Sequence, residues 1–312
     1  MILFGYQKRK KKGDMATPEP TFPDNLAGFG YEFKDGKLKN IQTGEPFVFA
    51  VSPDDRDYNQ KRYEALGELV QQDVYQLVKR ECGMIKASVP INSRPGDPQT
   101  FVFLSSDFMT NDDKILIVIQ GSGAVRAGQW SRKLTINEGI ESGTQIPYIQ
   151  IARREGYAVM VMNPNDNSRI VENQKQMIKG SESAVAHASY VWEAYLQESK
   201  AKHIAIVGHS YGGEVTKSLF DKYKEDFKQR VFAVALTSST HTIADHTEYS
   251  DLIKISRHWQ TSDQPLDTEL PTMENGMKMV SAGTNTHERT SQACMESVFK
   301  FFQDRYLAFL EG

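Results

Sequence analysis

The most constraining stretch of the sequence is 203–215, which reads His-Ile-Ala-Ile-Val-Gly-His-Ser-Tyr-Gly-Gly-Glu-Val. It holds a Gly-x-Ser-x-Gly pattern at Gly208, Ser210 and Gly212, after an apolar, β-branched run and before a helical pattern. A strand, a sharp turn and a helix in this order expose the serine hydroxyl at the tip of the turn. Glycine is needed two residues before and two after the serine, because larger side chains would collide there. The stretch therefore predicts a nucleophile elbow.

The composition is that of an ordinary globular chain. Of its 312 residues, 39% are apolar and 25% are charged, with a formal net charge of −3. No run reaches the roughly 18 apolar residues of a membrane-spanning helix, and Met1–Tyr6 is too short an apolar stretch for a signal peptide. The two cysteines, Cys82 and Cys294, lie outside any redox or metal motif. We therefore expect no membrane span, no secretion signal, no cofactor and no metal.

The first 22 residues differ from the rest of the chain. They carry five consecutive basic residues at 8–12 and a proline-rich segment, which together predict a disordered arm over 1–22 and a single domain over 23–312. The basic run is either a solvated charge run or a nuclear-localisation or nucleic-acid patch. Direct nucleic-acid binding is not expected, because the domain is mildly acidic and lacks an aromatic-stacking motif.

Hydrophobic periodicity predicts the fold class. A hairpin is predicted over 30–41 and a long amphipathic helix over 57–82, and strands then alternate with helices. The predicted strands are 100–104, 114–119, 157–162, 203–207, 231–237 and 277–282, and the later helices are 146–155, 181–198, 211–223 and 291–309. This alternation predicts an α/β fold with a mostly parallel central sheet, helices on both faces, and an N-terminal hairpin and long helix.

A serine nucleophile needs a base and an orienting acid, which follow it in the chain in α/β-hydrolase folds. His287 is the candidate base, since it follows an apolar strand end and a glycine turn and precedes the last helix; the alternative is a plain loop histidine. Asp263 is the candidate acid, directly after a strand-like piece ending near Thr261, and Asp267 is the alternative. The third possibility is that neither carboxylate is the triad acid, because a solvated loop carboxylate has the same appearance in the sequence.

The oxyanion hole is predicted from two loops. The backbone N–H of Tyr211 follows the serine, and the small-residue loop 120–124 after an early strand supplies Ser122 and Gly123 as further donors. A tight turn after a strand is the alternative for that loop. Four such parts in the correct chain order predict an α/β-hydrolase-like fold. Catalysis stays open, because a fold and its elbow glycines do not by themselves imply an activity.

Further motifs carry a family resemblance. They are Phe22-Pro23 through Phe29-Gly30-Tyr31, Thr43–Phe47, Tyr58–Tyr63, Gln120–Gly123 with Gln129–Ser131, Met162–Asn165, Gly208–Gly213 and Ser281–Thr284. The chain from about residue 22 resembles the Argonaute-binding-protein-2 (Arb2) domain family, in particular its vertebrate cotranscriptional-regulator members. The resemblance implies a hydrolase-like fold with Ser210 at the nucleophile position. It also implies a role in splicing and Argonaute-linked silencing, in the nucleus and cytoplasm, with Argonaute and chromatin-remodelling proteins as partners.

The C-terminal residues Leu310-Glu311-Gly312 lack the endoplasmic-reticulum retention-like tail of some family members. Two functions therefore remain open at this point. One is a serine hydrolase of an ester, thioester or amide, with an unknown small-molecule or acyl substrate. The other is a non-catalytic hydrolase-like scaffold that binds Argonaute or chromatin proteins.

Overall fold

A sheet of eight strands forms the centre of the computed structural model, which describes residues 19–243, 245–272 and 276–311. The strands are β1 (Tyr31–Lys34), β2 (Lys37–Asn40), β3 (Met84–Val89), β4 (Thr100–Ser105), β5 (Lys114–Ile119), β6 (Tyr157–Val161), β7 (Ser168–Val171), β8 (Gln174–Met177), β9 (His203–His209), β10 (Val231–Thr237), β11 (Ser256–Gln260) and β12 (Met279–Ser281). The α-helices are α1 (Arg56–Cys82), α2 (Arg132–Asn137), α3 (Ile140–Gly143), α4 (Ile146–Arg154), α5 (Ala184–Val191), α6 (Gly212–Lys222), α7 (Lys224–Arg230), α8 (Ser250–Lys254), α9 (Thr290–Ala293) and α10 (Met295–Leu310).

The order of strands across the central sheet identifies the fold. The order is β12-β11-β10-β9-β5-β6-β4-β3, while β1–β2 and β7–β8 form separate hairpins. The β3–β4 and β4–β6 pairs are antiparallel, and the other pairs in the central sheet are parallel. Counted along the chain from β3, the second strand of the central sheet is β4, which is antiparallel to its neighbours. The third and fourth strands, β5 and β6, exchange places in the spatial order. This is the arrangement of α/β-hydrolase folds. The predicted fold class is therefore confirmed.

Two apolar cores cover the sheet, one on each face. Strand β5 shows the division: Leu116 and Val118 lie in one core, with side chains of α1, α4 and α10, and Ile115 and Ile117 lie in the other, with side chains of α5 and α6. Because both faces of a parallel sheet are buried, such a strand is apolar throughout and does not alternate. This burial explains the continuous run Ile-Leu-Ile-Val-Ile.

The long helix α1 links the hairpin to the sheet. Asp55 caps its N-terminus by accepting the Tyr58 N–H at 2.8 Å, and Gly83 ends it in a left-handed conformation with φ of 64°. A third apolar cluster packs β1 and β2 on the helix, with Leu66 and Val70 completely buried. This packing fixes the first turns of α1 beside the carboxyl ends of the central strands, where the site described below lies.

Several elements differ from the prediction. The predicted helix over 181–198 is α5 followed by a π-helical turn, Trp192–Leu196. The hairpin β7–β8 was not predicted, since its residues are mostly polar and partly or fully exposed. The predicted arm over 1–22 lies outside the described residues except for 19–22. Across the described ranges, no helix is long and apolar enough to cross a membrane.

Candidate active site

A sharp turn between β9 and α6 holds Ser210. Its φ is 52°, in the left-handed region that residues other than glycine adopt rarely. The Ser210 N–H donates to the Thr237 carbonyl at 3.0 Å, which ties the turn to the end of the neighbouring strand β10. Strained backbone held in this way is concentrated at functional sites.

The glycines around Ser210 are required by contact distances. A Cβ on Gly208 would lie 2.9 Å from the backbone carbonyl carbon and oxygen of Gly212, and a Cβ on Gly212 would lie 2.6 Å from the Ile119 carbonyl oxygen. A Cβ on Gly121 would lie 2.9 Å from Ser210 Cβ. The loop after β5 is therefore seated directly against the serine, and only glycine allows this approach.

A cleft of about 300 Å³ opens above this turn. Helix α1 and the loops after β5, β9 and β12 form its walls. The lining residues are Gln60, Tyr63, Glu64, Gly121, Ser122, Ala124, Val125, Trp130, Ser131, Arg132, His209, Ser210, His287 and Glu288. The part of α1 that covers the serine was not predicted, because its periodicity indicates only a buried face.

One predicted backbone donor lies at the elbow and a second lies on the loop after β5. Tyr211 is the N-cap of α6, where the helix dipole is positive, and Ser122 lines the cleft on the facing loop. Within the residues that the structure describes, neither the Tyr211 N–H nor the Ser122 N–H has a hydrogen-bond acceptor. Neither Tyr211 nor the third predicted donor, Gly123, is among the residues that line the cleft.

His287 lies in the same cleft as Ser210. It opens a 3₁₀ turn after β12, and its ring centroid lies 4.8 Å from that of His209. Its Nδ1 atom is 2.7 Å from Ser238 Oγ. The structure thus brings the predicted base and nucleophile into one cleft, although no hydrogen bond joins them among the described residues.

Asp263 does not contact His287. Its Oδ1 atom instead accepts a hydrogen bond from Asn285 Nδ2 at 2.9 Å. Asp263 is exposed, so its carboxylate is solvated. No hydrogen bond joins this predicted acid to the imidazole in the described part of the chain.

Asp267 has a structural environment. Its Oδ1 atom accepts hydrogen bonds from Trp259 Nε1 at 3.0 Å and from Ser297 Oγ at 2.6 Å. These contacts join the loop after β11 to α10 and satisfy the N–H of a fully buried indole. The alternative acid is therefore also placed away from His287.

Ser238 occupies the position beside His287 where an acid was expected. It directly follows β10, has a φ of 44° and is only 5% exposed. His287 Nδ1 is the one hydrogen-bond partner of its hydroxyl within the described residues. Sequence reasoning missed this residue, because Thr-Ser-Ser-Thr has the composition of an ordinary loop and the usual partner of a catalytic histidine is a carboxylate. The signal available in the sequence was the position of Ser238 directly after 231–237, the predicted strand that follows the elbow strand along the chain.

Buried histidines near the cleft are neutral. Burial, together with the neighbouring His287, lowers the pKa of His209 to about 3, and its Nδ1–H donates to the Thr237 carbonyl at 3.0 Å. Burial also lowers the pKa of His258 to about 3, and its Nε2 accepts the Ser239 N–H at 2.9 Å. Both rings therefore have structural contacts of their own.

The two cysteines are free thiols. Burial raises the pKa of Cys82 to about 12, and Cys294 is completely buried. Both are therefore protonated and unreactive at neutral pH. In the parts of the chain that are described, no group of three or more His, Cys, Asp or Glu residues is arranged to hold a metal ion.

Comparison with known proteins gives matches over most of the chain. The Arb2 domain family matches residues 22–266. The Cotranscriptional regulator ARB2A homolog of Xenopus tropicalis is 39% identical, over 92% of this chain and 81% of the relative. Cotranscriptional regulator ARB2A of Homo sapiens is 37% identical, over 92% of this chain and 82% of the relative. Among solved structures, the histone deacetylase Clr3 matches 85% of this chain and 42% of its own, with 12% identity and a TM-score of 0.49.

Proposed function

Because the chain belongs to the Arb2 domain family and holds a strained serine in a cleft beside a histidine, we propose that it is a serine hydrolase of small esters, thioesters or amides. The observation that carries the proposal is the left-handed φ of Ser210 at a strand–helix turn. A serine keeps such a strained backbone conformation only where the surrounding contacts hold it in place. The N–H groups of Tyr211 and Ser122, which have no acceptor in the described part of the chain, support the same proposal.

The proposed reaction has two steps. Ser210 Oγ attacks the substrate carbonyl carbon while its proton moves to Nε2 of His287, and the N–H groups of Tyr211 and Ser122 bind the negative oxygen that forms. The bond to the leaving group then breaks as Nε2–H gives its proton to the leaving oxygen, sulfur or nitrogen. Water next attacks the acyl carbon by the same route, which releases a carboxylic acid and restores Ser210.

The size and charge of the cleft indicate the class of substrate. A volume of about 300 Å³ is at the lower end of the roughly 300–1,000 Å³ of ligand sites, so a short acyl group fits best. Glu64 and Glu288 line the cleft, and the charge of Arg132 is offset by Glu68, whose carboxylate is 2.6 Å from the guanidinium. We therefore expect neutral or cationic substrates to be preferred over anionic ones.

Labelling with a fluorophosphonate probe tests this proposal. We expect the native chain to be labelled at Ser210 and to hydrolyse p-nitrophenyl acetate, and Ser210→Ala to lose both. Ser218→Ala is the matched control, because it removes a hydroxyl from α6 that donates only to the Glu214 carbonyl of the same helix. A folded native chain whose Ser210 remains unlabelled at high probe concentration would exclude the hydrolase function.

A regulatory scaffold is the second candidate function. Two observations favour it: the relatives are named cotranscriptional regulators, and neither Asp263 nor Asp267 contacts His287. In this case the chain acts in the nucleus and cytoplasm by binding Argonaute or chromatin-remodelling proteins. Ser210→Ala should then retain every partner captured by the native chain, as measured by quantitative affinity purification. Loss of those partners from a stably folded Ser210→Ala variant would contradict it.

A further inference from the structure

The side chain of Ser238 is placed at the ring nitrogen of His287 that faces away from a substrate in serine hydrolases. The distance from Ser238 Oγ to His287 Nδ1 is 2.7 Å. Ser238 is only 5% exposed and its hydroxyl has no other partner in the described ranges, so its hydrogen bond is made to His287 alone. In a Ser-His-Asp triad, a carboxylate holds this nitrogen and orients the ring.

The backbone of Ser238 supports a specific role. Among the residues that the structure describes, six other than glycine have positive φ, and three of them lie in the β1–β2 and β7–β8 hairpin turns. The remaining three are Ser210, Ser238 and Asp267. Asparagine and aspartate tolerate this conformation, whereas serine has no comparable preference for it. The two strained serines follow the adjacent parallel strands β9 and β10, and the bond from Ser210 N–H to Thr237 joins the two turns.

We propose that Ser238 is the positioning residue for His287, in the place that a carboxylate takes in other serine hydrolases. The inference rests on the proposed hydrolase function of Ser210. It assigns to Asp263 no part in orienting the imidazole, because the Asp263 carboxylate is bonded to Asn285.

A hydroxyl differs from a carboxylate in its hydrogen bonding. A carboxylate only accepts, so it fixes the tautomer with hydrogen on Nδ1 and leaves the Nε2 lone pair free for the serine proton. The Ser238 hydroxyl accepts from Nδ1–H or donates to bare Nδ1, so it fixes the orientation of the ring but selects neither tautomer. It also gives the imidazolium ion no negative charge. The site is therefore a slow one whose rate is limited by His287.

This reasoning makes opposite predictions for two substitutions. Ser238→Ala removes the contact and should lower the rate of fluorophosphonate labelling about 10- to 100-fold, the usual cost of misplacing a reacting group. Ser238→Asp should raise the rate about tenfold or more, because it supplies the missing acceptor. It should also move the acidic limb of the rate–pH profile to higher pH, since a carboxylate stabilises the imidazolium ion.

Ser256→Ala is the matched control. Ser256 is also buried, on the neighbouring strand β11, and its hydroxyl makes one hydrogen bond, to the Leu252 carbonyl at 2.6 Å. Its substitution should cost similar stability and leave the labelling rate unchanged. Equal rates for Ser238→Ala and Ser256→Ala would overturn the proposal. A rate that falls in Asp263→Asn but not in Ser238→Ala would also overturn it.

A measurement without turnover separates this inference from the proposed function. The ¹⁵N resonance of His287 Nδ1 should move in Ser238→Ala and stay in place in Ser256→Ala, because only the first substitution removes its hydrogen bond. A native chain that no probe labels defeats the hydrolase function. An Nδ1 resonance that Ser238→Ala leaves unchanged defeats the assignment of Ser238.

Discussion

Gly121→Ala tests the contact between the loop after β5 and the elbow. The new Cβ would lie 2.9 Å from Ser210 Cβ, 3.4 Å from Ser210 Oγ and 3.5 Å from His209 Cδ2. Carbon atoms in optimal contact are about 3.5–4.0 Å apart, so the first distance is short by roughly 0.6–1.1 Å. Ser210 Cβ is bonded directly to the backbone and cannot rotate away. The loop or the elbow itself must therefore move.

Two magnitudes follow from this shift. Overpacking of this kind destabilises proteins by about 1–3 kcal/mol, and we expect a loss in that range. Displacing reacting groups by about 1 Å costs roughly a hundredfold in rate, so fluorophosphonate labelling of Ser210 should slow by about that factor. The labelling rate should fall further than the loss of stability alone explains, because the variant remains folded under assay conditions.

The assay compares the second-order labelling rate with the free energy of unfolding in urea. Gly83→Ala is the control: Gly83, unlike Gly121, has a positive φ of 64°, and no atom lies within 4 Å of its Cβ position. It follows the end of α1, about 35 Å along the helix from Gln60 at 1.5 Å per residue. Gly83→Ala should lose about 1 kcal/mol from left-handed strain and keep the native labelling rate. A Gly121→Ala variant with native rate and native stability would refute the contact geometry.

Two further predictions concern stability. Asp267→Ala removes the acceptor shared by Trp259 Nε1 and Ser297 Oγ, but Trp259 Nε1 keeps Ser297 Oγ as an acceptor at 3.1 Å. It should therefore lower the free energy of unfolding by about 1 kcal/mol and leave Ser210 labelling unchanged; loss of labelling in this variant would instead restore Asp267 as the acid. Burial lowers the pKa of three histidines to about 3; they are His187, His209 and His258. Because the unfolded chain takes up protons at histidine below about pH 6.5 and the folded chain does not, urea denaturation should show stability falling by about 1.4 kcal/mol per pH unit for each histidine between roughly pH 6 and 4. An unfolding free energy that stays level from pH 7 to pH 5 would contradict this.

Burial on both faces made the central strands predictable. The bounds predicted for β5 and β10, 114–119 and 231–237, agree with the structure at every residue. All residues of β10 are buried, so its continuous apolar run identifies it as a central strand that is covered on both faces. The hairpin β7–β8 has no such apolar pattern, because its strands bury little apolar surface. Its geometry comes from positive φ at Glu172 and Asn173, which neither side chain requires.

The elbow was predictable because its constraint is local. Gly208 and Gly212 are in contact across a single turn, so the spacing of these two glycines in the sequence predicts the geometry of the turn. Ser238, the hydrogen-bond partner of His287, is 49 residues away in the sequence, so no local sequence pattern predicts their contact. It depends on which strands are neighbours and on how far each loop extends, which are properties of the completed sheet.

The packing of His287 on His209 accounts for the choice between Ser238 and Asp263. The ends of β10 and β11 both lie within reach of a loop after β12, but β11 is farther from the elbow strand β9 by one strand spacing, about 4.8 Å. The His287 ring lies against His209, the last residue of β9, with 4.8 Å between centroids. This contact holds the imidazole on the β9 side of the sheet edge, where its Nδ1 atom lies 2.7 Å from Oγ of Ser238, the residue directly after β10, whereas Asp263 lies three residues after the end of β11. The carboxylate of Asp263 is bonded instead to Asn285, two residues before His287 on the same loop.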